Sequence, residues 1–169
     1  MIIQTTKKLE CFLGTHGIPL PSFAEPRACW HGNILQLGRH KALLLTHNES
    51  YYSVLIQGVT KKELPSLTKR IYTRLKEQLL RDNFTPKEIE TLLLFSETFS
   101  YFKSSNRRVL GVMNDMAKTL EIHRMYGESD DVSLSSRLNN TPYAINGVIY
   151  PRNALKEIAL ETVMMKELL

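Results

Sequence analysis

Six consecutive residues, Lys103, Ser104, Ser105, Asn106, Arg107 and Arg108, form the densest group of side chains in this sequence able to handle an anion. Two hydroxyls and an amide precede two arginines, and the segment that follows has helical periodicity. A helix N-terminus already carries about half a positive charge and up to four unpaired amides, so its first turn favours acids. Arginines there oppose the dipole, and a bound phosphate or similar anion would reconcile them with it. The other reading is purely structural: Ser105 or Asn106 caps the helix, while Arg107 and Arg108 extend into water or meet Asp115 and Glu97.

Three further polar residues are candidates to support this site. Asn114 lies seven residues beyond Arg107 and would either orient that arginine or a ligand, or bond to neighbouring backbone. In Trp30-His31-Gly32-Asn33, strand alternation puts Trp30 on one face as a core residue, with His31 and Asn33 on the other. Gly32 weakens a plain strand, so it marks a bulge or a close approach of other backbone.

Signatures of catalysis are sparse. The histidines at 16, 31, 40, 47 and 123 include no His-x-x-x-His pair, and Cys29-Trp30-His31 is too short and isolated to read as zinc coordination. There is no Gly-x-x-x-x-Gly-Lys loop, no Gly-x-Gly-x-x-Gly and no Gly-x-Ser-x-Gly, and Asp130-Asp131 reads as a helix start, not a two-metal site. No metal and no cofactor is expected, and no catalytic residue is assigned. A metal-independent ribonuclease stays open as an alternative, with His31 or His47 as acid or base and Lys103 and Arg107 on the phosphate.

Charge is unevenly spread. The formal net charge is +5, and the stretch from Lys61 to Arg81 alone holds seven cations against Glu63 and Glu77. Glu121 to Asp131 is acidic by contrast. Such asymmetry fits nucleic acid or another phosphate-bearing partner, or else the solvated face of an ordinary helix. A non-enzymatic binding protein of that kind is the leading expectation. Another is a protein-interaction module, of a mobile-element or toxin-antitoxin type, using Val163, Met164, Met165 and Leu168 on the last helix.

The elements that must position these residues follow from periodicity and punctuation. Met1 to Ile3 is a short apolar opening, and Thr6 caps a helix carrying Leu9, Phe12 and Leu13 that Gly14 ends. Cys29 to Leu37, Lys41 to Thr46 and Tyr51 to Ile56 read as strands, the last two as a hairpin. Thr60 with Glu63 opens a helix striped by Leu64, Leu67, Ile71, Leu75 and Leu79, stopped at Asn83. Thr85-Pro86-Lys87-Glu88 starts another, with Ile89, Leu92, Leu93 and Phe95 as its apolar face. Glu97 to Lys103 returns to strand.

The third long helix carries Val109, Leu110, Met113, Met116, Ala117 and Leu120 at core spacing. Asp130 or Asp131 caps a short helix to about Leu138, and a last helix after Pro151 carries Leu155, Ile158, Thr162, Met165 and Leu169. The expected fold is α+β, a small mainly antiparallel sheet covered on one face by helices. Its core includes Leu43, Leu45, Leu67, Ile71, Leu75, Phe99, Leu110 and Met113.

With 43% hydrophobic and 23% charged residues among 169, the chain has the composition of an ordinary globular protein, and residues 1–169 read as a single domain. Few apolar residues or abundant Gly and Pro would indicate disorder or a fibrous chain, and neither holds. No apolar run is long enough to cross a membrane and no signal-peptide core opens the chain, so no membrane partner and a cytoplasmic location are expected. Cys11 and Cys29 are too few for a disulfide framework.

Thr6-Lys7-Lys8-Leu9, Trp30-His31-Gly32-Asn33, the stretch Asn106 to Met116, Leu138-Asn139-Asn140-Thr141-Pro142 and Tyr150-Pro151 together resemble a family of bacterial proteins of similar length, classed as a domain of unknown function. The resemblance covers essentially the whole chain, and Asn106 to Met116 is its most specific part. It implies one compact domain and transfers no activity, catalytic residue or cofactor. This chain has Gly32 where many relatives have Ala.

Overall fold

A computed structural model describes residues 1–22, 24–93, 99–144 and 147–168. In chain order the elements are β1 (Ile2–Thr5), α1 (Lys7–Leu13), β2 (Cys29–Leu37), β3 (His40–His47), β4 (Ser53–Gln57), α2 (Leu64–Arg81), α3 (Pro86–Leu93), β5 (Ser100–Lys103), α4 (Arg107–Met125), α5 (Asp131–Asn140), β6 (Tyr143–Ala144), β7 (Val148–Ile149) and α6 (Pro151–Glu167). Of the expected residues, Phe95, Glu97 and Leu169 lie outside the described ones.

The α+β class holds, but the sheet is mixed. Its order is β4-β3-β2-β1-β5. β2, β3 and β4 form an antiparallel meander, whereas β1 lies parallel to both β2 and β5. The expectation of a mainly antiparallel sheet missed this because parallel pairs need long crossovers instead of tight turns, and these leave no local signal. The short apolar opening of the chain is in fact a central strand, with Ile3 fully buried.

Helices also cover both faces of the sheet, not one. Trp30, Ile34, Leu43, Leu45, Val54 and Ile56 pack against α1, α2, α3 and α6. Leu35, Leu37, Ala42, Leu44 and Leu55 project the other way, onto α4 and α5. A strand buried on both faces reads as a continuous apolar run, which is what Ala42 to Leu45 is. The expected core residues fall into these two clusters, with Phe99 and Leu110 half-buried at their margins.

Local chemistry sets the helix ends. Thr6 accepts from the Leu9 amide at 3.3 Å, and Gly14 stops α1 at φ 71°. Thr85 and Glu88 make a reciprocal capping box on α3. Glu63 accepts from the Thr60 amide and hydroxyl ahead of α2, and Asn83 takes the left-handed conformation at φ 64° beyond it. The apolar stripe of α6 is thinner than its sequence promised: Leu155 is buried, Ile158 and Thr162 are half-buried and Met165 is exposed, as are Met164 and Leu168 of the expected interaction patch.

The open edge of β4 is sealed by side chains of α5. Asp131, Ser135 and Asn139, spaced one helical turn apart, bond the backbone of Gln57, Leu55 and Ser53, spaced two residues apart on the strand. Four residues of helix advance about 6 Å and two of strand about 6.7 Å, so the periods match. An edge that would otherwise recruit another chain is closed within the molecule.

Candidate crevice at the ends of two parallel strands

Alternation along β2 places Trp30 in one core and His31 and Asn33 on the opposite face, as expected, and each of these polar residues holds the start of a helix. His31 is fully buried. Its Nδ1 is 2.9 Å from Ser104 Oγ and its Nε2 3.0 Å from Asn48 Oδ1. Asn106 Nδ2 donates to the same Asn48 oxygen at 3.1 Å. That oxygen accepts both bonds, so Nε2 carries the imidazole proton and Nδ1 accepts from the Ser104 hydroxyl, an assignment made from the network. Asn106 in turn caps α4, its Oδ1 accepting from the Arg108 and Val109 amides. Asn33 accepts from Thr6 Oγ1 at 2.7 Å, steadying the cap of α1.

Gly32 between them permits a close approach and not a bulge, since the pairing with β1 and β3 runs without interruption. A Cβ there would fall 2.6 Å from Leu9 Cδ2 and 3.2 Å from Ile3 Cγ2. Leu9 Cδ2 is the far end of its side chain, but Ile3 Cγ2 sits on a stiff, β-branched carbon in the core, so an Ala at this position needs both neighbours to give.

Burial pushes His31 below the usual imidazole range, against the opposing effect of its bond with Asn48. His47 is driven down to about 4, chiefly by burial, with the Arg27 carbonyl opposing and the charge of His31 assisting. Its Nδ1 accepts from the Ser50 amide and lies 2.9 Å from the Ser50 hydroxyl, while Nε2 faces the Arg27 carbonyl at 3.0 Å. Both rings are buried and bonded at both nitrogens.

The helices held by Asn33 and His31 leave the sheet in opposite directions. α1, following β1, packs with Leu9 and Phe12 on one face, and α4, following β5, packs with Val109, Val112 and Met113 on the other. Because β1 and β5 are parallel neighbours, their C-terminal ends form a topological switch point, where open sheets bind ligands in the crevice between departing helices. A cavity of about 380 Å³ lies there, lined in part by Thr6, Lys7, Glu10, His16, Lys103 and Ser104. Ile18 bridges to Phe102 on the outer side of β5, which brings the loop after α1 across the cavity.

The expected anion group is divided among three roles. Lys103 and Ser104 line the crevice, and Asn106 is the helix cap. Arg107 and Ser105 are exposed. Arg108 is exposed, its charge close to the hydroxyl of Tyr51, whose ring is buried in the second core although its backbone sits at φ 60°. Asp115 pairs with Lys118 at 3.2 Å and Glu97 lies outside the described residues, so no arginine–carboxylate pair forms at this turn among the described residues. Asn114 is exposed.

Sequence reasoning missed Asn48, Lys7, Glu10 and His16. One signal was available: Lys7 and Lys8 put cations in the first turn of α1 just as Arg107 and Arg108 do in α4. Among the described residues no group of three or more His, Cys, Asp or Glu is placed to hold a metal ion, and no helix is long and apolar enough to cross a membrane.

Fold and site together define a class: an α+β protein with a mixed sheet between two helical layers and a lysine-flanked crevice at its switch point. The family model for a domain of unknown function, DUF6933, matches residues 2–154, and the chain belongs to that family. Among curated proteins none matches the sequence.

Proposed function

We propose that this protein binds a phosphate-bearing ligand in the crevice between the ends of β1 and β5. The observation that carries the reading is Lys7 and Lys103, from two separate strand ends, lining one cavity at a switch point. Thr6 and Ser104 line the cavity beside them, their hydroxyl protons already given to Asn33 and His31. A discrete ligand is favoured over a long nucleic-acid strand because the basic surface is divided. Exposed Lys61, Lys62, Lys69, Lys76 and Arg81 belong to α2 and the turn before it, across the sheet from α4 with its exposed Arg107. Arg70 and Arg74 of that stretch are already engaged, with Glu63 and Glu77.

Calorimetric titration with inorganic phosphate and pyrophosphate at low salt tests this. Lys103→Glu should weaken binding at least tenfold with the fold intact by circular dichroism, and raised salt should weaken it further. Unchanged affinity in both Lys103→Glu and Lys7→Glu would sink the reading. Mixed single- and double-stranded DNA and RNA form the second arm: a steep linear fall of log affinity with log salt would instead favour a nucleic-acid partner, through counterion release.

Arg107→Glu is expected to stabilise the ligand-free protein by a few tenths to about 1 kcal/mol, because an acid suits the start of α4. A urea titration reads this directly, and a clear destabilisation would show that Arg107 has a structural role at that turn.

A further inference from the structure

The crevice holds charges of both signs that do not neutralise one another. Glu10 lines the same cavity as Lys7 and Lys103, yet among the described residues it enters no ion pair. Its one side-chain bond is from the Thr5 hydroxyl, 3.3 Å from Oε1, and that hydroxyl also lies 3.0 Å from the Phe102 carbonyl. A carboxylate offers about four acceptor sites, so most of the capacity of Glu10 is uncommitted.

The carboxylate is also held in place. Gly17 lies directly against it: a Cβ there would fall 2.2 Å from Glu10 Oε1 and 3.0 Å from the Lys103 Cα. Glycine lets the loop after α1 close down on both strand ends, and it leaves Glu10 half-buried at the cavity wall. Leu110, one turn into α4, gives that cavity an apolar wall.

A bare phosphate suits the lysines, but it would be repelled by Glu10 and offers that residue almost no donors. The complementary molecule has an anionic group and, a few ångströms away, hydroxyl donors on an apolar frame. Paired hydroxyls of a sugar donate to a carboxylate in this way in nucleotide-binding folds. A volume of about 380 Å³ accommodates a small molecule of this kind.

Resting on the phosphate-binding reading, we infer that the ligand is a phosphorylated sugar, free or as part of a nucleotide, with its phosphate between Lys7 and Lys103 and its vicinal hydroxyls donating to Glu10. Glu10 is then a specificity-determining residue. It selects the sugar, and the lysines select the phosphate.

The test compares ribose 5-phosphate, 2-deoxyribose 5-phosphate and inorganic phosphate by calorimetry on the wild type and on Glu10→Gln, a change that keeps the side-chain size and the acceptor for Thr5. Ribose 5-phosphate should bind at least tenfold tighter than inorganic phosphate, with the deoxy sugar between them. In Glu10→Gln that preference should shrink severalfold, while inorganic phosphate binds as well as before or better, because a repelling charge is gone. Equal affinity for all three probes, or a preference untouched by Glu10→Gln, would overturn the inference and leave phosphate binding standing. If none of the three binds the wild type, the phosphate reading itself fails, and the inference with it.

Discussion

Asn139→Ala is expected to lower the unfolding free energy by about 3 kcal/mol or more, the largest single-residue loss on the surface between α5 and the sheet. The Asn139 amide accepts from the Ser53 N–H at 2.7 Å and donates to the Ser53 carbonyl at 3.0 Å, and all of these atoms are buried. Truncation leaves a backbone donor and a backbone acceptor without partners, each costing about 1–3 kcal/mol. Asn139→Asp should fare no better, since it keeps the acceptor but sets a charge against the Ser53 carbonyl. Asn140, the next residue, is exposed and bonds only the Ser136 carbonyl of its own helix, so Asn140→Ala should change stability by no more than about 0.5 kcal/mol. Urea midpoints for the three variants decide the matter, and equal effects at 139 and 140 would mean that α5 does not seal the edge of β4.

Stability should also fall as the solution is acidified from neutrality to pH 4. His47 has a folded pKa of about 4 against an ordinary value of 6.5. Between those values the unfolded chain takes up a proton that the folded chain refuses, so unfolding is favoured as pH drops through this window. At 1.36 kcal/mol per pH unit, the loss from this group approaches about 3 kcal/mol at pH 4. His31, lowered in the same direction, adds to it. Glu128 and Asp130, held below their ordinary values by Arg137 and by Ser133 respectively, begin to contribute as pH falls past those ordinary values of 4.5 and 3.8. Urea denaturation at pH 7, 6, 5 and 4 should show a steady decline, and His47→Asn should remove the larger part of the slope. A wild-type profile flat across this range would contradict the burial of both rings.

The histidines have a structural part as well: the bonds of His31 to Asn48 and Ser104 brace the entry to α4. An ionisable residue can be recognised in sequence, whereas its burial depends on which chains lie over it. Asn48 and Ser104 reach His31 from 17 and 73 residues away, and Asn106 joins them through Asn48.

What the sequence determined by itself was local. Thr6, the Thr85–Glu88 box and Asn83 mark helix ends because each acts on amides within four residues. The stripes of α2 and α4 follow from a period of 3.6 against a flat core, and the alternation of Trp30 with His31 and Asn33 follows from the pleat. The α+β class came from the sum of such signals.

Tertiary structure decided everything that depends on contact between distant segments. The parallel pairing of β1 between β2 and β5, the second helical layer, the sealing of β4 by α5 and the convergence of Lys7, Glu10 and Lys103 have no local trace. Each rests on loop closure over tens of residues, whose entropic cost depends weakly on length and hardly at all on which residues the loop contains. The switch point is therefore a property of strand order, and strand order is settled by packing two apolar faces of one sheet at once.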